Sequence, residues 1–222
     1  MAMANWLSYS ISDFLPFSLE TYNRLFVLYN ARFGPAFAVG LGLGVVALAL
    51  PLRASVWRLR VVLAGFGLAW LWISWAFHLQ TLQPLLWAAG PFALAFAVQS
   101  GLLVASAILP WDARHSEQSF AGSNGGYAVL AIAVLLLPLA GLMTERPLSG
   151  LELFGTAPDP TAIATLGLAS MLPARLAWLL FPIPLAWCLV STAMLWGLDS
   201  PVWPIPAALA LIALMGVVWR PV

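Results

Sequence analysis

The chain has 222 residues, 63% of them hydrophobic and only 8% charged, with a formal net charge of +1. A soluble globular domain carries about a quarter charged residues, so there is too little polar surface here to cover a water-facing body. The near-neutral charge excludes a nucleic-acid footprint, and the single cysteine, Cys188, excludes an intramolecular disulfide and a Cys/His zinc set.

The N-terminal run MAMANWLSYSISDFLPF holds no basic residue and includes Asp13. It lacks the basic region of a cleavable signal peptide, so the first spanning helix is expected to act as the insertion signal. In FSLETYNRLFVLYNARFG, Ser18 reads as an N-cap with Glu20 in the first turn. Leu19, Tyr22, Phe26 and Tyr29 recur at spacings of three and four, and Leu25 and Leu28 widen that face. This pattern predicts an amphipathic helix lying in the outer interface of the membrane. Gly34–Pro35 marks a bend after it. Residues 1–34 thus form an N-terminal segment and residues 35–222 the bundle.

A spanning helix needs about 20 mostly apolar residues. Seven stretches are predicted to span: 35–52, 61–80, 91–109, 127–143, 160–172, 176–197 and 205–219. The fifth is short enough to suit a re-entrant segment. Arginine placement decides between the two. With the N-terminus outside, Arg53, Arg58, Arg60, Arg114, Arg175 and Arg220 fall inside, against Arg24, Arg32 and Arg146 outside, six to three. A re-entrant fifth segment would move Arg175 and Arg220 outside, giving four to five. The expectation is therefore an all-α polytopic bundle of seven spans, with the N-terminus outside and the C-terminus inside. The inner loop WDARHSEQSFAGSNGG gathers Asp112, Arg114, His115 and Glu117 but reads as a solvated connector, without a phosphate-loop pattern.

Ionisable groups inside a membrane are functional candidates by default. No Asp, Glu or Arg falls deep in a predicted span. Only His78, in WLWISWAFHLQ, nears membrane depth, at the outer end of the second helix. Ser74, Leu71 and Gly67 are expected on its face. Gln99, about two turns into the third helix, is expected to hydrogen-bond across to the second. The outer loop TERPLSGLELFGTAPDP carries Glu152 and ends in Asp159, read as an N-cap ahead of Pro160 at N1.

His78, Gln99, Glu152 and Asp159 are the candidate lining of an outward-facing polar pocket. The plainer reading of His78 and Gln99 is interhelical glue and an interface anchor. No HExxH, paired-Asp or Ser/His set is visible within the membrane, so neither a catalytic residue nor a metal site is expected. No cofactor is expected either; a haem, pigment or lipid contact at His78 stays open, while bis-histidine ligation is excluded because His115 falls on the other side. FPIP at 181–184 predicts a kink in the sixth span. Trp57, Trp111, Trp178, Trp196, Trp203 and Trp219 sit near span ends and fit an aromatic belt.

FSLETYNRLFVLYN, WLWISWAFHLQ, PLAGLM and LFGTAPDPTAIATLGL together resemble a bacterial family of small multi-spanning membrane proteins, domain of unknown function 6064. The resemblance runs from about Phe14 to the seventh predicted helix. It implies a multi-pass protein of the bacterial inner membrane and supports seven spans; it implies no activity. The expected function is non-enzymatic: an accessory or assembly subunit, packed in the lipid bilayer against other membrane proteins or a second copy. The alternative is a small-molecule or lipid binder or transporter that uses the polar pocket.

Overall fold

Proline, glycine and polar breaks divide the chain into helices, and no strand occurs among the described residues. The computed structural model describes residues 10–49, 55–110 and 124–219. The loop bearing Asp112, Arg114, His115 and Glu117 lies outside the described residues, as do Trp111, Arg53, Arg220 and positions 50–52 of the first predicted span.

Helix α1, Leu19–Arg32, starts as its sequence predicts: the Ser18 side chain accepts from the Thr21 N–H at 3.3 Å. Its apolar face packs on the protein itself, burying Tyr22, Leu25, Phe26 and Tyr29, while Leu28 stays exposed. The bend at Gly34–Pro35 turns the chain by 93° into α2, Gly34–Ala49.

Three helices are long and apolar enough to cross a membrane: α3 (Val56–Leu82), α4 (Ala89–Ile108) and α5 (Asn124–Thr144). The number rises to five if each bent pair counts as one span. The first pair is α1 with α2. The second is α7 (Ala174–Leu180) with α8 (Pro182–Gly197), bent by 42° at the FPIP sequence, where a kink was expected. A shorter apolar helix, α9 (Pro204–Val218), follows. The predicted tryptophans at span ends that lie among the described residues, Trp57, Trp178, Trp196, Trp203 and Trp219, are all exposed.

The fifth predicted span departs most from expectation. It forms α6, Pro158–Ala169, 12 residues long. At 1.5 Å per residue this is about 18 Å, short of the ~30 Å hydrocarbon core. Pro158 fixes its start and the turn before Pro173 ends it. Every residue from Pro158 to Ala169 is buried. α6 is the central helix of the bundle, with α3, α5, α7, α8 and α9 packed around it. Backbones meet closely at Gly167, where an added Cβ would lie 2.6 Å from Leu130 N on α5. Small residues allow this approach where helices must pack without a hydrophobic drive between them.

One register expectation changes on α3. Residues Ile73–Leu82 wind as a π-helix, with Gln83 N–H donating to His78 O at 2.9 Å, five residues back. A π segment takes in an extra residue and shifts the faces that follow it. Leu71, expected beside His78, is instead half exposed at 50%, whereas Gly67 and Ser74 do face inward. His78 itself faces the bundle and is fully enclosed; its exposure is 0%.

Candidate functional site

The first turn of α6 reads Pro158-Asp159-Pro160-Thr161. The N-cap is Ala157, with extended backbone, and Pro158 takes the first helical position, so Asp159 is a first-turn residue rather than the cap. Both prolines lack an N–H. The positive helix end therefore presents fewer free donors than usual, and the Asp159 carboxylate stands beside it.

Trp187 and Ser191 lie four residues apart on α8, one turn on the same face. That spacing delivers one donor to each oxygen of Asp159. Trp187 Nε1 donates to Oδ1 at 2.8 Å, and Ser191 Oγ donates to Oδ2 at 2.6 Å. Asp159 is 8% exposed. Burial pushes its carboxyl above the ordinary range and Glu152 adds to this, while the bonds from Ser191 and Trp187 and the charge of Arg146 oppose it.

The segment between α5 and α6 brings a second and third charge to the same place. Glu145, at the end of α5, takes a left-handed backbone conformation (φ 58°) and turns the chain back. Arg146 N–H then bonds to Gly141 O at 3.2 Å. The Arg146 side chain points inward, 4% exposed, and forms an ion pair with Glu152. Its Nε donates to Asn23 Oδ1 at 3.0 Å, and its guanidinium lies 4.5 Å over the Phe26 ring. Burial is the largest single influence and works against this charge, but the charge and hydrogen bond of Glu152, with Tyr22 and Asp159, together outweigh it, and Arg146 is held above its ordinary value. Asn23 also donates to Thr144 O at 2.9 Å, Asn30 to Ser149 O at 2.7 Å, and Tyr29 to Thr156 O at 2.8 Å. The polar side of α1 thus fastens the 144–157 segment over the end of α6.

Arg146, Glu152 and Asp159 line one cavity of about 30 Å³, closed otherwise by apolar residues such as Leu137, Leu195 and Ile205. A water needs roughly 10–15 Å³ by this measure, so the cavity admits about two water-sized groups. One guanidinium faces two carboxylates. With both ionised, one negative charge lacks a cationic partner.

Two of the four sequence candidates, Glu152 and Asp159, therefore share a cavity. His78 joins them only through Trp187, whose ring centroid is 5.1 Å away. Phe96 at 4.4 Å, Phe77 at 5.4 Å and Phe92 at 6.0 Å complete a box around the imidazole. Neither ring nitrogen of His78 has a hydrogen-bond partner. Four aromatic rings thus enclose the imidazole.

Gln99 does not bond to the second predicted helix. Its Nε2 donates to Leu180 O at 3.1 Å, reaching α7, because the kink at FPIP leaves that carbonyl without a helical partner. Among the described residues, no three His, Cys, Asp or Glu side chains converge as a metal set. Trp187 was not singled out in sequence; its signal was the Trp-x-x-x-Ser spacing on an otherwise apolar helix. Arg146, counted among the outer arginines, is buried.

The fold and site together define an all-helical protein, with helices of membrane-crossing length gathered around a short internal helix that carries a buried carboxylate. The chain belongs to the family of unknown function DUF6064, whose profile matches residues 19–220. No curated protein and no solved structure matches it.

Proposed function

We propose that this chain is a multi-pass protein of the bacterial inner membrane that binds a small cation in the Asp159 cavity and performs no covalent chemistry. The observation that carries the reading is the charge count of that cavity: Arg146 is already paired to Glu152, while Asp159 has only neutral hydrogen-bond donors. A buried carboxylate without a cationic partner binds a proton or recruits a cation. The cavity volume of about 30 Å³ limits that cation to the size of an ammonium or a bare alkali ion. The packing role expected of an accessory subunit is compatible with this site and is a broader form of the same non-enzymatic reading.

The test is calorimetric titration of the purified protein in lipid nanodiscs with sodium, potassium and ammonium chloride, using choline chloride to hold ionic strength. Saturable binding of one of these ions, absent in Asp159→Asn, supports the site. Heats that do not differ from those of choline chloride overturn it.

A further inference from the structure

A second concavity has the opposite character. It runs between α2 and α3, with a volume of about 700 Å³, and its walls are apolar: Val39 and Leu43 on one side, Leu68, Leu71 and Trp75 on the other. Val39 and Leu68 are 64% and 62% exposed. Gly155 and Thr156 complete the lining. This segment lies tight against α2 because Gly40 has no side chain; a Cβ there would stand 2.6 Å from Phe154 O. The Thr156 carbonyl is already taken by Tyr29, whose hydroxyl in turn accepts from Trp72 Nε1 at 2.9 Å. The groove therefore offers length and apolar contact, with little hydrogen bonding.

One end of the groove is different. Arg32, just before the 93° bend between α1 and α2, is exposed, and its guanidinium lies 5.0 Å from the centroid of the Phe33 ring. Phe33 packs in turn on Trp72 at 5.4 Å and on Trp75 at 6.0 Å, and both indoles line the groove. Indoles gather where hydrocarbon meets headgroups. An arginine fork matches phosphate oxygens and keeps its charge at any working pH. An apolar slot that ends in two indoles and an exposed guanidinium has the complementarity of one lipid: a chain in the slot and an anionic head at its mouth.

We propose that the groove between α2 and α3 holds one acyl chain of an anionic phospholipid, with the phosphate on Arg32. The assignment rests on the membrane reading above but not on the Asp159 cavity, which shares no lining residue with the groove.

The experiment is native mass spectrometry of the detergent-purified chain, equilibrated with equal amounts of phosphatidylglycerol and phosphatidylcholine. The wild type retains phosphatidylglycerol preferentially. Arg32→Gln lowers that preference about fivefold, the effect of one basic residue at an anionic surface, and Arg32→Lys keeps most of it. Val39→Trp, which fills the groove from one wall, and Leu68→Trp, from the other, lower retention of both lipids. Asp159→Asn leaves retention unchanged, which separates this proposal from cation binding. An Arg32→Gln chain with wild-type preference overturns the proposal. So do two groove-filled variants that melt like the wild type and retain lipid equally well. A dimer peak lost in Val39→Trp would assign the groove to a second copy and overturn the lipid assignment.

Discussion

Trp187 and Asp159 stand 28 positions apart in sequence and are joined by a 2.8 Å hydrogen bond from the indole to the carboxylate. The same indole packs against His78, so one side chain connects the charged cavity to the aromatic box. Its two roles can be separated. Trp187→Phe keeps a ring beside His78 and removes the donor to Asp159. Leaving a buried acceptor short of a partner costs about 1–3 kcal/mol. Thermal unfolding in detergent is expected to show that loss, and Ser191→Ala a similar one. If Trp187→Phe unfolds at the wild-type temperature, the bond contributes nothing to stability.

The Arg146–Glu152 pair predicts a non-additive result. Removing one partner of a buried pair strands the other, at roughly 3–5 kcal/mol, whereas replacing both with apolar groups is often close to neutral. Arg146→Met and Glu152→Met singly are expected to destabilise strongly, and the double variant to recover much of the loss. A double-mutant cycle read by chemical denaturation checks this. Additive effects would mean that the two charges are not coupled.

His78 separates packing from function. Both ring nitrogens are buried without partners, which is costly to leave so. His78→Phe fills the same box and removes the stranded polar atoms, so stability is expected to hold or rise. His78→Ala leaves a hole and is expected to lose about 3–5 kcal/mol, in the range seen for large aromatic truncations. A drop with phenylalanine as large as that with alanine would show that the imidazole has a polar partner in the working protein.

The central position of α6 is tested at its closest contact. Gly167→Ala pushes a methyl toward Leu130 N at 2.6 Å, against backbone that cannot move aside. Overpacking of this kind costs typically 1–3 kcal/mol. Gly101→Ala on α4 meets nothing within 4 Å and is expected to be neutral or to gain up to about 1 kcal/mol of helix propensity. Equal melting temperatures for the two variants would contradict the packing around α6.

Much of the fold was legible because breakers and periodicity are local. Ser18 announced the start of α1, Gly34–Pro35 its end, and FPIP the bend before α8. The π segment of α3 was not legible: no residue in ISWAFHLQTL marks the extra residue per turn, and so Leu71 was placed on the wrong face. The start of α6 was half legible. Its sequence holds two prolines, and reading the second as the first helical residue moved Asp159 from the first turn to the cap. The site itself depended on distance in space. Nothing local links Asp159 to Trp187 and Ser191, and nothing local shows that Arg146 is buried, because its asparagine and aromatic contacts come from α1.

In the proposed cation site, an entering cation takes the place of a proton on Asp159. Because the carboxyl of Asp159 is raised by burial, it holds its proton to higher pH than an exposed aspartate does, and cation binding should strengthen as pH rises through that range. The direct measurement is proton release when the bound cation, sodium, potassium or ammonium, is added to the weakly buffered protein, followed with a pH indicator. The account predicts release of up to one proton per cation bound, declining toward alkaline pH, and none from Asp159→Asn. Cation binding with equal proton release from the wild type and Asp159→Asn would contradict it.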